Sequence, residues 1–338
     1  MITYGKRKRV IWITTVFIIL ILFTILISLQ LGSFSIKPWE VVQTFLGQGT
    51  RKQEIVLFSM RLPRIVMAIL VGTALAVSGA ILQSITKNDL ADPGIMGISS
   101  GAALAVVMYI YFMNGNVYDG VSNLTIWTMP VVAFFGSILG AVLIYLFAWK
   151  KGINPTRLIL IGIGINSAFQ ALMIIFQLRF TTQEFNRVMV WISGSIWGTS
   201  WIYVITILPW IIVFLFFAIY KARFLDVFLL GDHLSIGLGV QVEKARRILI
   251  LFAVALAGVA TSVAGTISFL GLISPHIARK IVGPKHKLLL PVSALVGTLL
   301  LLISDTIARN IVAPAEIPVG IVVSIIGVPY FLYLMVKE

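Results

Sequence analysis

The sequence predicts an all-α integral membrane protein of about ten transmembrane helices, with both termini cytoplasmic. Three observations carry this. Of 338 residues, 59% are hydrophobic and mean hydropathy is +1.04, more apolar surface than a soluble fold buries. The apolar residues fall in runs of about 20, the length a helix needs to cross hydrocarbon, where only helices or closed barrels satisfy the backbone. Lys and Arg gather in the short segments between runs, as the positive-inside rule expects, so the net charge of +14 speaks for a membrane surface and not for nucleic acid. There is no cysteine, which excludes disulfides, thiolate metal sites and lipid attachment at cysteine.

The runs follow in order. Lys6, Arg7, Lys8 and Arg9 precede the first, Val10 to Leu29. A signal peptide also opens this way, but its apolar region is shorter and ends at an A-x-A-like site. Ser28-Leu-Gln-Leu-Gly-Ser33 matches poorly, so the first span is expected to be retained. Spans are expected near 10–30, 64–85, 95–113, 126–147, 158–178, 201–220, 246–265, 268–281, 288–304 and 317–335. The eighth is too short to cross unaided, and 191–198 suggests an extra half-helix. With the N-terminus inside, 18 Lys/Arg fall on the inner side and 8 on the outer, which supports ten spans with both ends inside. The whole chain, 1–338, is expected to be one membrane domain, with its largest inner insertion at about 221–247.

Gly72-Thr-Ala-Leu-Ala-Val-Ser-Gly79-Ala-Ile81 echoes Gly258-Val-Ala-Thr-Ser-Val-Ala-Gly265-Thr-Ile267, with five of ten positions identical. The first segment would run inward and the second outward, the mark of an inverted repeat of helices 2–5 and 7–10. The small residues of these spans, Gly72, Gly79, Gly258 and Gly265, with Gly136-x-x-x-Gly140 and Gly194-x-x-x-Gly198, let helix backbones approach closely.

No ionisable residue lies near the middle of any span. Carriers driven by protons or sodium usually hold such groups there, so energy and specificity are expected to come from other subunits. Gly97-Ile-Ser-Ser-Gly101 matches the G-x-S-x-G pattern but has no strand before it, and a nucleophile elbow needs strand, turn and helix. His276 follows Pro275 without a metal-ligand cluster and is read as capping or packing. No Walker-type phosphate loop occurs. Asp92-Pro93-Gly94 is expected to start the third span as N-cap and first helical residue, or to serve an inner gate. Arg61-Leu-Pro-Arg64 places two cations where Pro63 would start the second span, against the helix dipole. They suit lipid headgroups or an acidic partner equally. Asp305 and Arg309 are spaced to pair. In the inner insertion, Asp226 to Val240 is apolar but broken by Gly231, Gly237 and Gly239, so a short helix there wants a protein groove or the membrane surface.

These residues resemble the FecCD-type permeases of ABC importers, which carry iron-siderophores, haem or cobalamin. The resemblance rests on Arg61-Leu-Pro-Arg64, on Asn88-Asp-Leu-Ala-Asp-Pro-Gly94 with Gly97-Ile-Ser-Ser-Gly101, and on Gly271-Leu-Ile-Ser-Pro-His-Ile-Ala-Arg279. It continues through Leu288-Leu-Leu-Pro291, Asp305-x-x-Ala-Arg309 and Pro314-Ala-Glu-Ile-Pro-Val-Gly320. Asp89 departs from the pattern, which commonly has Pro there. The resemblance implies a membrane-spanning subunit of the bacterial cytoplasmic membrane that performs no chemistry and binds no cofactor or metal. Its partners would be a second permease (identical or paralogous), two ATPase subunits holding ATP and Mg, and an extracytoplasmic binding protein. Arg61, Arg64 and Arg309 would meet acidic residues of the binding protein. Asp226, Leu230, Gly231, Asp232, Gly237 and Gly239 would form the coupling segment set into the ATPase. Gly72, Gly79, Asp92, Pro93, Gly258, Gly265 and Pro275 would serve packing or gating. The favoured cargo is an iron(III)-siderophore.

Overall fold

The computed structural model describes residues 4–32, 34–94, 96–113, 123–150 and 155–337. Regular structure among them is helical: α1 (Tyr4–Gln30), α2 (Pro38–Phe45), α3 (Arg51–Glu54), a π-helical stretch (Ile55–Arg61), α4 (Leu62–Thr86), α5 (Ile98–Phe112), α6 (Asn123–Ala148) and α7 (Pro155–Gln177). There follow α8 (Thr182–Ile192), α9 (Trp201–Phe228), α10 (Asp232–Gly237), α11 (Val242–Ala264), α12 (Leu270–Val282), α13 (His286–Asn310) and α14 (Val319–Lys337). Among the described residues, eight helices are long and apolar enough to cross a membrane. The shorter α5 and α12 coincide with two further expected spans.

Burial sorts these helices. In its most apolar window α4 is 83% buried, α11 67% and α13 61%, against 6% for α1 and 22% for α9. So α4, α11 and α13 form the centre, and the others turn apolar faces outward, as Phe23, Phe135, Ile205 and Phe216 show. Backbones meet where side chains vanish. A Cβ on Gly72 would stand 2.7 Å from the carbonyl oxygen of Gly297 in α13, and one on Gly258 would stand 3.1 Å from Ser137 Cβ in α6. The crossing of α4 on α13 is thus echoed by α11 on α6. Other contacts pair the same way: α5 with α6 and α12 with α13, α5 with α7 and α12 with α14, α11 with α5 and α4 with α12. Lys87, just past α4, reaches Asp232 beside Arg246 in the first turns of α11, so α4 and α11 run in opposite directions.

Several boundaries differ from expectation, each for a local reason. The second span does not start at Pro63. Helix is continuous from Arg51 to Thr86, capped by Thr50 with Gln53, so Arg61 lies well inside it and the dipole conflict disappears. Pro63 has no N–H to offer five residues back across the π turn, and the Phe58 carbonyl accepts from Trp201 Nε1 instead, at 2.7 Å. Asp92 and Pro93 do not open α5. Asp92 Oδ1 accepts from Gly94 N at 2.8 Å in a closed turn, and Gly97, at φ 76, is the N-cap. The half-helix falls on α8, started by the Thr181–Glu184 capping box. Gly194 and Gly198, at φ 75 and 73, follow it in non-helical chain, so this pair does not pack helices. Gly265 likewise ends α11 at φ 68. Finally α9 runs to Phe228, eight residues past its expected end, because Ala218, Ala222, Leu225 and Phe228 keep a buried stripe at helical spacing. The non-helical part of the 221–247 insertion is correspondingly shorter.

Candidate functional site

Charged side chains collect at the two ends of the bundle. At one end the last turns of α13 and the segment before α14 meet the start of α4. Arg64 Nε and Nη2 lie 2.8 Å from Asp305 Oδ1, and its Nη1 donates to Glu316 Oε2 at 2.6 Å. Arg309 Nε stands 3.4 Å from Asp305 Oδ2, and its Nη2 donates to Ser28 Oγ at 2.6 Å. Arg61 donates to the carbonyls of Leu29 and Phe34. All three arginines are buried, at 4%, 8% and 6% exposure for Arg61, Arg64 and Arg309. The structure therefore brings the three expected docking residues together but employs their guanidinium groups within the chain. They tie the α1–α2 connection and the α13–α14 connection to α4. They also line a cleft of about 400 Å³ with Phe34, Trp197, Thr199 and Glu316. Glu316 was not singled out from sequence; its partner Arg64 is 252 residues away.

At the opposite end lies the α9–α11 connection. Gly231 at φ 95 and Gly239 at φ 79 bracket α10, and positive φ is what glycine supplies there without strain. Gly237 has open space around it. Leu230, Leu234, Ile236 and Leu238 are exposed, an apolar face on a one-turn helix. Asp232 holds the connection to the bundle through Arg246 at 2.9 Å and Lys87 at 3.4 Å. Burial pushes its carboxyl up, but the hydrogen bond and charge of Arg246, aided by Lys87, outweigh that and hold it below the ordinary carboxylate range. Asp226 belongs to the last turn of α9 and accepts from His286 N at 2.7 Å, with His286 Nδ1 at 2.8 Å. Asp89 pairs with Arg279, so the departure at this position supplies an ion pair between the α4–α5 loop and α12. Sequence inspection gave no signal for His286, whose partner Ser84 is 202 residues away.

Gly79, Asp92 and Pro93 converge on Gly271 of α12, one turn before Pro275. A Cβ on Gly79 would lie 2.7 Å from Gly271 Cα, and one on Gly271 would lie 2.8 Å from Pro93 Cδ and 2.9 Å from Asp92 Oδ2. Pro275 has no N–H to return to Gly271 four residues back, which leaves that carbonyl to face Gly79. Ser99 is buried in the first turn of α5, 3.4 Å from Thr261 Oγ1, without an elbow. His276 is buried against the Tyr330 ring, with centroids 5.9 Å apart. Among the described residues no three His, Cys, Asp or Glu side chains are grouped to hold a metal.

Comparison with known proteins gives a consistent result. The FecCD transport family matches residues 20–337. The iron(3+)-hydroxamate import system permease protein FhuG of Bacillus subtilis (strain 168) is 52% identical, over 98% of each chain. The Fe(3+) dicitrate transport system permease protein FecD of Escherichia coli (strain K12) is 38% identical, over 92% of this chain and 94% of that one. A solved metal-chelate type ABC transporter in an inward-facing conformation superposes with a TM-score of 0.82 at 29% identity, covering 97% of this chain and all of the other.

Proposed function

The chain belongs to the FecCD transport family, and from that premise we propose how it works. It is a multi-pass protein of the cytoplasmic membrane and a transport permease. We infer that its cargo is an iron(III)-siderophore, and the 52% identity to an iron-hydroxamate permease favours the hydroxamate class. The observation that carries the reading is the family match over nearly the entire chain, residues 20–337.

The chain acts as one permease domain of ten spans, α5 and α12 completing the eight long ones, with both termini cytoplasmic. The echoed helix contacts and the opposed α4 and α11 support an inverted repeat of helices 2–5 and 7–10. The arginine end then faces outward. There a binding protein delivers cargo, and its acidic residues reach the cleft floored by Arg61, Arg64 and Arg309. The other end faces inward, where α10 and the turn before it present Leu234, Ile236 and Leu230 to an ATPase cleft, with Asp226, Gly231, Asp232, Gly237 and Gly239 shaping the segment. The importer comprises two permeases, identical or paralogous, and two ATPases. ATP and Mg are held by the ATPases. Strokes of the coupling segment tilt the helices that close at Gly72, Gly79 and Gly258, with Gly265, Pro275 and the Asp92–Pro93–Gly271 contact as bending points, and so alternate access.

Radioactive iron uptake in cells lacking the chain tests this, with ferric hydroxamates, ferric catecholates and haem supplied in turn. Loss of hydroxamate uptake alone, restored by the wild-type chain, is expected. Unchanged iron uptake across the panel would overturn the cargo assignment.

A further inference from the structure

Ser84, His286 and Asp226 stand in a line that joins α4, α13 and α9. Asp226 Oδ1 accepts from the backbone N of His286 at 2.7 Å and lies 2.8 Å from its Nδ1. On the far side of the ring, Nε2 meets Ser84 Oγ. Ser84 Oγ also lies 2.7 Å from the Ala80 carbonyl. His286 is 1% exposed and Ser84 3%. The order is that of a charge relay, but Ser84 sits deep in the packing of α4, where no substrate bond comes within reach. Its geometry is mechanical. A rigid planar ring, on the first residue of α13, links the last turn of α9 to the last turn of α4.

Resting on the permease reading, we propose that Ser84–His286–Asp226 is the strut that carries movement of the coupling segment into α4 and α13. The segment hangs on the end of α9, two residues beyond Asp226, and packs on α9 and α11. Apolar contacts between α9 and the central pair can slide, whereas hydrogen bonds are directional: the Ser84–His286 bond is buried and costly to break without a substitute, and Asp226, 37% exposed, is held twice, by His286 N and Nδ1. The exposed Lys87–Asp232 pair, with both side chains 43% exposed, is screened and transmits little, and the buried Arg246 that holds Asp232 at 2.9 Å ties the segment to α11 rather than to α4 or α13. The strut is also releasable. With Nδ1–H given to the Asp226 carboxylate, Nε2 accepts the Ser84 hydroxyl hydrogen. When the ring withdraws, that hydrogen turns to the Ala80 carbonyl, so no buried donor is stranded. His286 and Ser84 are thus positioning residues for transport.

The test uses the complete importer in liposomes, and reads ATP hydrolysed per iron complex moved for wild type, Ser84→Ala, His286→Ala and the double variant. Ser84→Ala is expected to raise the ratio about fivefold, the equilibrium factor of one hydrogen bond. His286→Ala should raise it at least as far, and the double variant no further than His286→Ala. KM for loaded binding protein, set at the other end, should stay unchanged. A wild-type ratio in Ser84→Ala, or effects that multiply in the double variant, would overturn the strut while leaving the permease reading intact. If His286→Ala does not assemble, Ser84→Ala decides. A wild-type importer that moves no iron complex would sink both.

Discussion

Arg64 is the place where docking and folding are entangled, and a pair of substitutions separates them. Replacing Arg64 by Met removes three contacts: Nε and Nη2 on Asp305 at 2.8 Å and Nη1 on Glu316 at 2.6 Å. Asp305 is 1% exposed and would keep only Arg309 Nε at 3.4 Å. Breaking a buried ion pair from one side costs about 3–5 kcal/mol. Glu316 is 26% exposed and regains water, so its loss adds about 1 kcal/mol at most. Arg64→Met should therefore lower the unfolding midpoint in lipid nanodiscs by roughly 5–10 °C. The double variant Arg64→Met/Asp305→Leu removes both charges of this pair, and apolar replacement of a buried pair is near neutral, but Arg309 loses its carboxylate at 3.4 Å and keeps only its Ser28 contacts, so part of the loss should return. Iron uptake by this stabilised double variant then isolates docking. If Arg64 contacts the binding protein, uptake stays low although the fold is restored. If Arg64 only braces the outer loops, uptake returns with stability. An Arg64→Met permease that melts with the wild type would refute the energetic argument. The same burial makes Arg61→Glu/Arg64→Glu a poor docking test, since a carboxylate at 64 beside Asp305 disrupts assembly first.

Three further outcomes follow from the packing. Gly79→Ala should destabilise by about 1–3 kcal/mol, exceeding the gain of about 1 kcal/mol in helix propensity, because the new Cβ meets the Gly271 backbone. Gly164→Ala, with open space around it, should melt at or slightly above wild type, and the reverse order would contradict the close approach. Leu234→Glu/Ile236→Glu, at positions each 62% exposed, should leave the melting midpoint unchanged yet abolish ATP-dependent uptake; normal uptake would remove α10 from the coupling surface. Asp232, whose carboxyl is held low, stabilises the α9–α11 connection above the ordinary carboxylate pKa and loses that contribution as pH falls through its lowered value. Hydrogen-exchange protection across 229–241, relative to the intrinsic rate at each pH, should therefore fall as pH drops through that range, and Asp232→Asn should show low protection already at neutral pH. Protection that stays constant across that pH range would deny Asp232 this role.

Much of the site was readable before the fold. Arg61, Arg64 and Arg309 could be picked out as odd charges at helix ends, and the glycines around α10 as breaks, since both are local patterns. Their burial was not readable. An Arg beside a loop looks exposed until the loop is seen to fold over it, as the Leu29 and Phe34 carbonyls do with Arg61. Asp92-Pro93 looked like a helix start because its chemistry suits one, but Gly97 offered the left-handed turn that α5 needed. The π stretch before Pro63 was invisible, because its cause is partly the Trp201 donor 143 residues downstream.

The chain's sequence by itself determined the class, the helices and the family, because hydropathy runs, periodicity and motifs are properties of neighbours along a helix. The tertiary structure alone decided which charges pair and which helices stand at the centre. Those outcomes depend on partners such as Asp305, 241 residues from Arg64, and His286, 202 from Ser84. A buried charge or hydroxyl is satisfied by whatever group the packing brings within about 3 Å, and nothing in the local sequence states which group that will be.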